Sequence, residues 1–435
     1  MPMAPQLPYP ISFLLLSLLL LLPFSVFPAY GSITPGSSLT ANPDNSSWPS
    51  FSGDFAFGFR EVRAGAYLLA IWFHKIPEKT IVWSANGAAL APQGSTVELT
   101  EDGRFLLSDP KGQPIWVPTF SGGPVAYAAM LDSGNFVLVS GSGSNSTTTL
   151  WQSFDEPTDT ILPSQILNRD GRLVARYAET NYSNGRFELL LQKDGNLVLA
   201  TTNLPVLDSV NAVYWSPETR CSGYQLIFNE STGYIYVISK DGKILSLVSS
   251  VAAPSSQFYQ RAIVESDGVF RRYVYPKSAG EKPLAWSVLS LIPSDICLSI
   301  TQSTGSGVCG FNSYCALGSD QRARCECPSG YAFFDPNDRT SGCKPDFVPQ
   351  NCDEELRKTE LFEFVDMANT DWPLNDYEYY QPVTEEWCRG VCLSDCFCAV
   401  AIFREGNCWK KRSPLSNGRI DPSVGGKALI KVRKH

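Results

Sequence analysis

The sequence predicts a mainly β chain of several units, the earlier ones held by packed cores and the last by cross-links. Three observations carry this. Short apolar runs recur around Asp-Gly and Ser-Gly turns through the first two thirds of the chain. Glycine and proline supply 33 and 31 of the 435 residues, as many turns and short strands require. Twelve of the 13 cysteines crowd between residues 297 and 408. The 43% hydrophobic fraction suffices for sizeable cores, and at about 150 residues per domain the length fits roughly three domains.

The chain opens on an address. Ile11 to Leu22 reads ISFLLLSLLLLL, followed by Pro23 and Pro28. This run suits a signal-peptide core and is too short to span a bilayer as a helix. Ala29 and Gly31 are small and two apart, which suits cleavage after Gly31, so residues 1–31 are expected to be a signal peptide. No Lys or Arg precedes the run, and an uncleaved anchor is the alternative. No other apolar run is long enough to cross a membrane, so no span is expected in the mature chain.

A secretory route makes the cysteines read as disulfides rather than metal ligands. Four Asn-x-Ser/Thr sequons fit the same compartment, at Asn45, Asn145, Asn181 and Asn229.

Between residues 32 and 296 the only cysteine is Cys221. A hairpin pattern repeats there: LTEDGRFLL at Leu99–Leu107, MLDSGNFVLV at Met130–Val139, LLQKDGNLVL at Leu190–Leu199 and VISKDGKILSL at Val237–Leu247. Asp-Gly between apolar runs is a strong hairpin signal. Regular hairpins predict an all-β barrel or prism, and no long helical period appears before residue 380. The spacing divides the region into units at 32–152 and 153–277, with the polar loop Gly141–Thr149 near the boundary. Trp48, Trp72, Trp83, Trp116, Trp151 and Trp215 are read mostly as core, with sugar stacking open for one or two.

Other chemistry is excluded early. The only histidines are His74 and the terminal His435. Neither offers the His-Arg-Asp of a kinase catalytic loop or an H-E-x-x-H zinc site, and any Ser/His/Asp or Cys/His pair would have to run through one of them. A net charge of −8 and a pI near 5.0 argue against nucleic acid as a partner. No enzyme, cofactor or metal is expected.

Several segments together resemble the ectodomain of plant G-type (bulb-type, or S-domain) lectin receptor-like kinases: FSGDFAFGF at Phe51–Phe59, AIWFHKIPEKTIVWSAN at Ala70–Asn86 and LWQSFDEPTDTILP at Leu150–Pro163. GSSLTA at Gly36–Ala41 is similar to the rice-type subgroup. The resemblance implies tandem bulb-type lectin β-prism domains, then a disulfide-rich EGF-like module at 293–343 and an α+β PAN/apple domain at 352–434.

The family's sugar motif is Q-x-D-x-N-x-V-x-Y. Alternate residues of a strand share a face. Gln, Asp and Asn then meet adjacent sugar hydroxyls, Val packs on ring carbons and Tyr adds a hydrogen bond. Gln192, Asp194, Asn196 and Val198 keep four of the five, and Ala200 replaces the tyrosine. A poorer copy is Thr100, Asp102 and Arg104, continuing to Leu106 and Ser108. A third has Leu131, Ser133, Asn135, Val137 and Val139. Carbohydrate binding at the Gln192 strand and a lectin fold kept as scaffold for another ligand are the two readings.

In the second half, CGFNSYC at Cys309–Cys315 and CECPSGY at Cys325–Tyr331 resemble an EGF-like module, which implies Cys297–Cys315, Cys309–Cys325 and Cys327–Cys343. Only Asp295 stands before the first cysteine as an acidic ligand, so no calcium is expected. Gly305–Gly310 matches G-x-G-x-x-G by chance, inside a cysteine lattice. EWCRGVCLSDCFC at Glu386–Cys398 resembles a PAN domain, with Thr384 as helix cap. That likeness implies Cys388–Cys408 and Cys392–Cys398, leaving Cys352 with Cys396 and Cys221 as the odd thiol.

The expected function is extracellular ligand recognition, by default of a mannose-type carbohydrate, by a secreted or truncated receptor ectodomain in the apoplast. Peptide or lipid ligands stay open. One alternative is a soluble co-receptor or decoy that pairs with receptor-like kinases, or with itself, through the EGF and PAN parts. The other is a fragment of an ATP-dependent Ser/Thr receptor kinase, at the plasma membrane, whose kinase lies beyond His435.

Overall fold

The computed structural model describes residues 31–44, 46–141, 147–203, 206–278, 284–301, 305–353, 358–374 and 376–434, with the backbone alone for 203 and 206–211. Asn45, Asn145 and the expected signal peptide up to residue 30 lie outside the described residues.

The fold is mainly β. Its first unit has three sheets around one core. One sheet joins Ser32–Ile33, Val125–Met130, Phe136–Gly141 and Thr147–Gln152. A second joins Ser37–Thr40, Thr96–Leu99, Phe105–Ser108 and Pro114–Trp116. The third joins Ser47–Pro49, Phe55–Arg63, Ala66–Phe73 and Ile81–Ser84, with Ala91–Pro92 at its side. Strand alternation sends Phe57, Leu99, Phe105, Phe136 and Leu138 inward from all three sheets. Phe57 stacks on Phe136 with centroids 3.9 Å apart. Trp83, Trp116 and Trp151 meet edge to face, an arrangement that adds to their area burial. Trp72, Trp83 and Trp151 are buried, while Trp48, Trp116 and Trp215 are partly buried against the cores.

The second unit repeats the plan with Thr160–Ile161, Phe258–Val264, Phe270–Pro276 and Ser287–Ile292 in one sheet. Ile166–Asn168, Gln225–Phe228, Ile235–Ile238 and Ile244–Ser249 form another. Arg172–Ala178, Asn181–Leu191, Leu197–Asn203 and Val206–Trp215 form the last. Its core is largely leucine, with Leu173, Leu189, Leu191, Leu197, Leu199 and Leu226 around Phe187 and Phe228. The strand Ser287–Ile292 pairs with Phe270–Pro276 beyond residue 277. It is a half-exposed edge strand, with burial too weak to show as a clear sequence period. The four repeated turns each carry a glycine at positive φ, at Gly103, Gly134, Gly195 and Gly242. A side chain there would strain the backbone, so the turn chemistry is obligatory.

The two units touch closely. Tyr182 of the second packs on the outer face of a first-unit sheet, against Ala56, Leu68, Ala70 and Trp72. At Gly87 a Cβ would overlap the Tyr182 carbonyl, so only glycine allows that approach. Trp83 Nε1 donates to Glu156 O at 2.8 Å, Trp286 Nε1 to Thr80 Oγ1 at 2.8 Å, and Tyr259 OH to Asp54 Oδ1 at 2.9 Å.

Cross-links take over after residue 296. The bridges are Cys297–Cys315, Cys309–Cys325, Cys327–Cys343, Cys352–Cys396, Cys388–Cys408 and Cys392–Cys398. A five-stranded sheet of Phe362–Ala368, Lys427–Arg433, Val400–Arg404, Asn407–Lys411 and Asp376–Tyr380 carries the helix Glu385–Ser394. Thr384 Oγ1 accepts from Trp387 N at 3.2 Å and caps that helix, whose buried residues are Cys388 and Cys392. The cysteine-rich segments also share a sheet, because Tyr314–Leu317 pairs in parallel with Gly418–Ile420. Trp372 Nε1 donates to Ser313 O at 2.8 Å across the same junction.

Candidate carbohydrate site

Gln192 to Ala200 forms a hairpin turn and the strand that leaves it. Gln192 N donates to Asn196 O at 2.9 Å, and Gly195 N to Gln192 O at 2.8 Å, closing the turn. Leu197 and Leu199 enter the core; Val198 and Ala200 therefore face outward. Both are nonetheless shielded, Val198 at 1% and Ala200 at 0% exposure, and with Leu190 they form an apolar floor.

The polar members of the motif turn toward the segment Ser216–Gly223, which sequence reasoning did not connect to them. Asp194 lies 3.3 Å from Arg220 Nε, and its carbonyl accepts from Cys221 N at 2.7 Å. Asn196 Oδ1 accepts from Ser216 Oγ at 2.8 Å and Thr219 N at 3.0 Å. The first unit repeats this. Asn135 Oδ1 accepts from Ser153 Oγ and Phe154 N, both at 3.2 Å, and its Nδ2 donates to Gln152 at 2.9 Å. Both asparagines are buried. In each unit the asparagine ties a hairpin to the following turn. Asn196 is itself buried, and the neighbouring groups open to a ligand are Gln192, partly exposed, and Asp194, exposed.

Glu188 pairs across the ladder with Ala200, opposite the place of the missing tyrosine. It is fully buried, and its Oε1 has no hydrogen-bond partner among the described residues. Arg172 Nη1 lies 3.5 Å from Oε2. Burial pushes the Glu188 carboxyl up, and Arg172 opposes this. The signal in the sequence was an acid inside the run Phe187-Glu188-Leu189-Leu190-Leu191, at the apolar end of the strand Asn181–Leu191.

Thr100, Asp102 and Arg104 are occupied with one another. The Thr100 hydroxyl donates to Asp102, Arg104 Nε donates to Asp102 Oδ2 at 2.9 Å, and Arg104 N donates to Thr100 Oγ1 at 3.0 Å. The Thr100 hydrogen bond holds the Asp102 carboxyl below its usual range. Ser239, Asp241 and Lys243 repeat the turn bonds. This is turn geometry, and nothing in it converges on a ligand.

Two sequons are described. Asn181 Oδ1 accepts from Ser183 N and Oγ, and Asn229 Oδ1 accepts from Thr232 N and Oγ1. Cys221 is an exposed free thiol. His74 has its basicity lowered by burial, with Lys79 and Arg60 adding to it, and its Nδ1 is shielded without a partner among the described residues. Asp295 caps the short helix Ile296–Ser299 through Leu298 N at 3.1 Å. Among the described residues no cluster of His, Cys, Asp and Glu is placed to hold a metal, and no helix is long and apolar enough to cross a membrane.

Residues 80–180 match the family described as D-mannose binding lectin. The chain is 44% identical to a G-type lectin S-receptor-like serine/threonine-protein kinase LECRK3 of Oryza sativa subsp. indica, over 96% of this chain and 53% of that protein. It is 39% identical to the corresponding RLK1 of Arabidopsis thaliana, over 93% of this chain and 50% of that protein. The chain thus spans about half the length of these curated relatives. Among solved structures, Colocasia esculenta agglutinin with mannose bound is 25% identical, covering 29% of this chain and 94% of that one at a TM-score of 0.20. The chain is a relative of the G-type lectin S-receptor-like serine/threonine-protein kinases, matched along their lectin-containing first half.

Proposed function

We propose that the chain is a ligand-recognising extracellular region of receptor type and that it binds a mannose-type carbohydrate through Gln192, Asp194, Asn196 and Val198. The observation that carries the carbohydrate class is the lectin-family match at residues 80–180. That match stops short of Gln192 and covers the poorer copies, which are committed to turn bonds. The better motif therefore rests on its own geometry: exposed Asp194, partly exposed Gln192 and a valine floor on one strand. The cross-linked second half fits secretion into an oxidising space. We assign 293–343 and 352–434 to the EGF-like and PAN units, sharing a sheet.

A glycan array with the purified chain, beside a Gln192→Ala/Asp194→Ala variant, tests the site. Mannoside binding lost in the variant supports it. Binding that survives the double substitution, or no glycan signal from the wild-type chain, removes it and leaves the scaffold reading.

A second reading is that the cysteine-rich half pairs with a receptor kinase or a second copy of the chain. It is favoured by exposed aromatics there, with Tyr379 at 46%, Trp387 at 41% and Phe397 at 64% exposure. Co-purification with membrane receptors that is lost on Trp387→Ala supports this. Unchanged recovery with that variant opposes it. Reading the transcript past His435 tests whether the chain is part of a longer kinase.

A further inference from the structure

The two lectin-like units line an open cleft of about 280 Å³, with Arg60 and Lys79 on one wall and Arg176, Tyr182 and Arg261 on the other. Arg60 leaves the strand Phe55–Arg63 of the first unit, and Arg261 leaves Phe258–Val264 of the second. Neither guanidinium has a hydrogen bond or ion pair among the described residues. Each lies instead on aromatic faces. Arg60 Cζ is 5.5 Å from the Trp72 ring centroid, and Arg261 Cζ is 4.7 Å from Tyr273 and 5.2 Å from Trp286. Arg261 Nε is shielded from water with no acceptor among the described residues. Arg176, by contrast, is held by Asp159 at 2.8 Å and covers Tyr182 at 4.5 Å.

This arrangement is costly without a ligand. Burial lowers the basicity of both Arg60 and Arg261, because the charged form is poorly solvated; at Arg261 the nearby Tyr273, Glu265 and Asp159 oppose this only in part. A guanidinium fixed on an aromatic face is also pre-oriented for a planar, two-point anion. The chain as a whole carries −8, yet four cationic side chains line this cleft against Glu61 and Glu78. Glu61 Oε1 is turned toward its own hairpin, accepting from Gly65 N at 2.9 Å. A neighbouring cleft of about 330 Å³ shares Arg176 and Arg261, but there Glu179 and Glu265 join the wall and Glu265 holds Arg322 at 3.0 Å, so the unpaired cationic surface is confined to the first cleft.

We propose that the junction of the two units is a ligand site distinct from the Gln192 strand, and that its ligand is an oligosaccharide bearing carboxylates, a uronate oligomer. The proposed lectin reading contributes only that the ligand is a saccharide; the charge requirement comes from Arg60 and Arg261. Carboxylates repeated along such a chain meet guanidiniums from both units, and Tyr182 and Lys79 supply further donors.

Calorimetry on the full chain tests this, with α-1,4-linked tetragalacturonate as probe. The controls are its methyl ester, a neutral galactose tetramer and inorganic phosphate. The acid form is expected to bind, and the ester and neutral tetramer to bind at least tenfold more weakly. Arg60→Gln and Arg261→Gln should each weaken binding at least tenfold. Arg60, at the rim, decides the matter if Arg261→Gln unfolds. Gln192→Ala/Asp194→Ala should leave tetragalacturonate binding unchanged, which separates this site from the mannoside site whatever the fate of the latter. The idea is overturned by equal binding of the ester, by no effect of Arg60→Gln, or by no binding of the acid. Phosphate binding as tightly as the tetramer would overturn the saccharide assignment.

Discussion

The motif-bearing strand and the cleft between the units differ in how their polar groups are committed. On the strand, Asn196 gives its amide oxygen to two donors of the same chain, and Asp194 faces Arg220. In the cleft, Arg60 and Arg261 have aromatic neighbours and no acceptor of their own among the described residues. A residue spacing that looks like recognition can therefore be partly structural. Recognition chemistry can also sit where no spacing advertises it.

The largest expected effect comes from breaking the structural half of this contrast. Asn196→Ala leaves the buried Thr219 N–H and Ser216 without their shared acceptor. A buried group left unsatisfied costs about 1–3 kcal/mol, so the variant should lose about 2 kcal/mol and melt several degrees lower. Asn135→Ala should lose a similar amount, since it ties the matching turn in the first unit. Urea unfolding of both variants checks this. If Asn196→Ala keeps wild-type stability while mannoside binding disappears, the asparagine is a ligand contact and the contrast is wrong.

The next effect is smaller and opposite in sign. Glu188 is fully buried with one unpartnered oxygen among the described residues, and burial raises its pKa. Its folded pKa thus lies above the unfolded value near 4.5. More protons are bound folded than unfolded in that interval, so its stabilising contribution is complete below the unfolded pKa and is lost as pH rises through the folded one. Glu188→Gln should remove that loss and raise the melting temperature at neutral pH, with little change below the unfolded pKa. Melting temperatures at pH 4 and pH 7 measure it. A variant that melts lower than wild type at pH 7 would show that Arg172 repays the burial of the carboxylate.

How far the sequence reached follows from the range of each interaction. Hairpins at Gly103, Gly134, Gly195 and Gly242 are local, because two turn residues and their flanking alternation specify them. The helix start at Thr384 is local for the same reason. The strand Ser287–Ile292 was not legible, since an edge strand with half-exposed residues has no clear period. The parallel pairing of Tyr314–Leu317 with Gly418–Ile420 was not legible either, because no local signal names a distant partner. For the site, the spacing from Gln192 to Val198 was readable. The turn that occupies Asn196 was not, because it is tied by tertiary hydrogen bonds. Arg60 and Arg261 are ordinary strand residues in sequence, and only the docking of two units makes them neighbours.

The smallest stability effect belongs to Asp194, and it sharpens the contrast most. Its pairing with Arg220 at 3.3 Å is exposed, with side chains 42% and 69% accessible. Exposed pairs contribute about 0.2–1 kcal/mol and are screened by salt. Asp194→Asn should therefore shift unfolding by no more than about 0.5 kcal/mol at physiological salt. The backbone contact from Cys221 N to Asp194 O does not depend on the side chain, and asparagine keeps the Oδ1 that accepts from Asn196 N at 3.0 Å, so both should hold the turn. Against that nearly silent background, any change in mannoside affinity reports the ligand directly. A tenfold loss with unchanged melting would place Asp194 in the site, freed from the structural role that confounds Asn196. Equal affinity would mean that the carboxylate serves only Arg220 and the turn N–H of Asn196, and that the Gln192 strand persists as hairpin architecture.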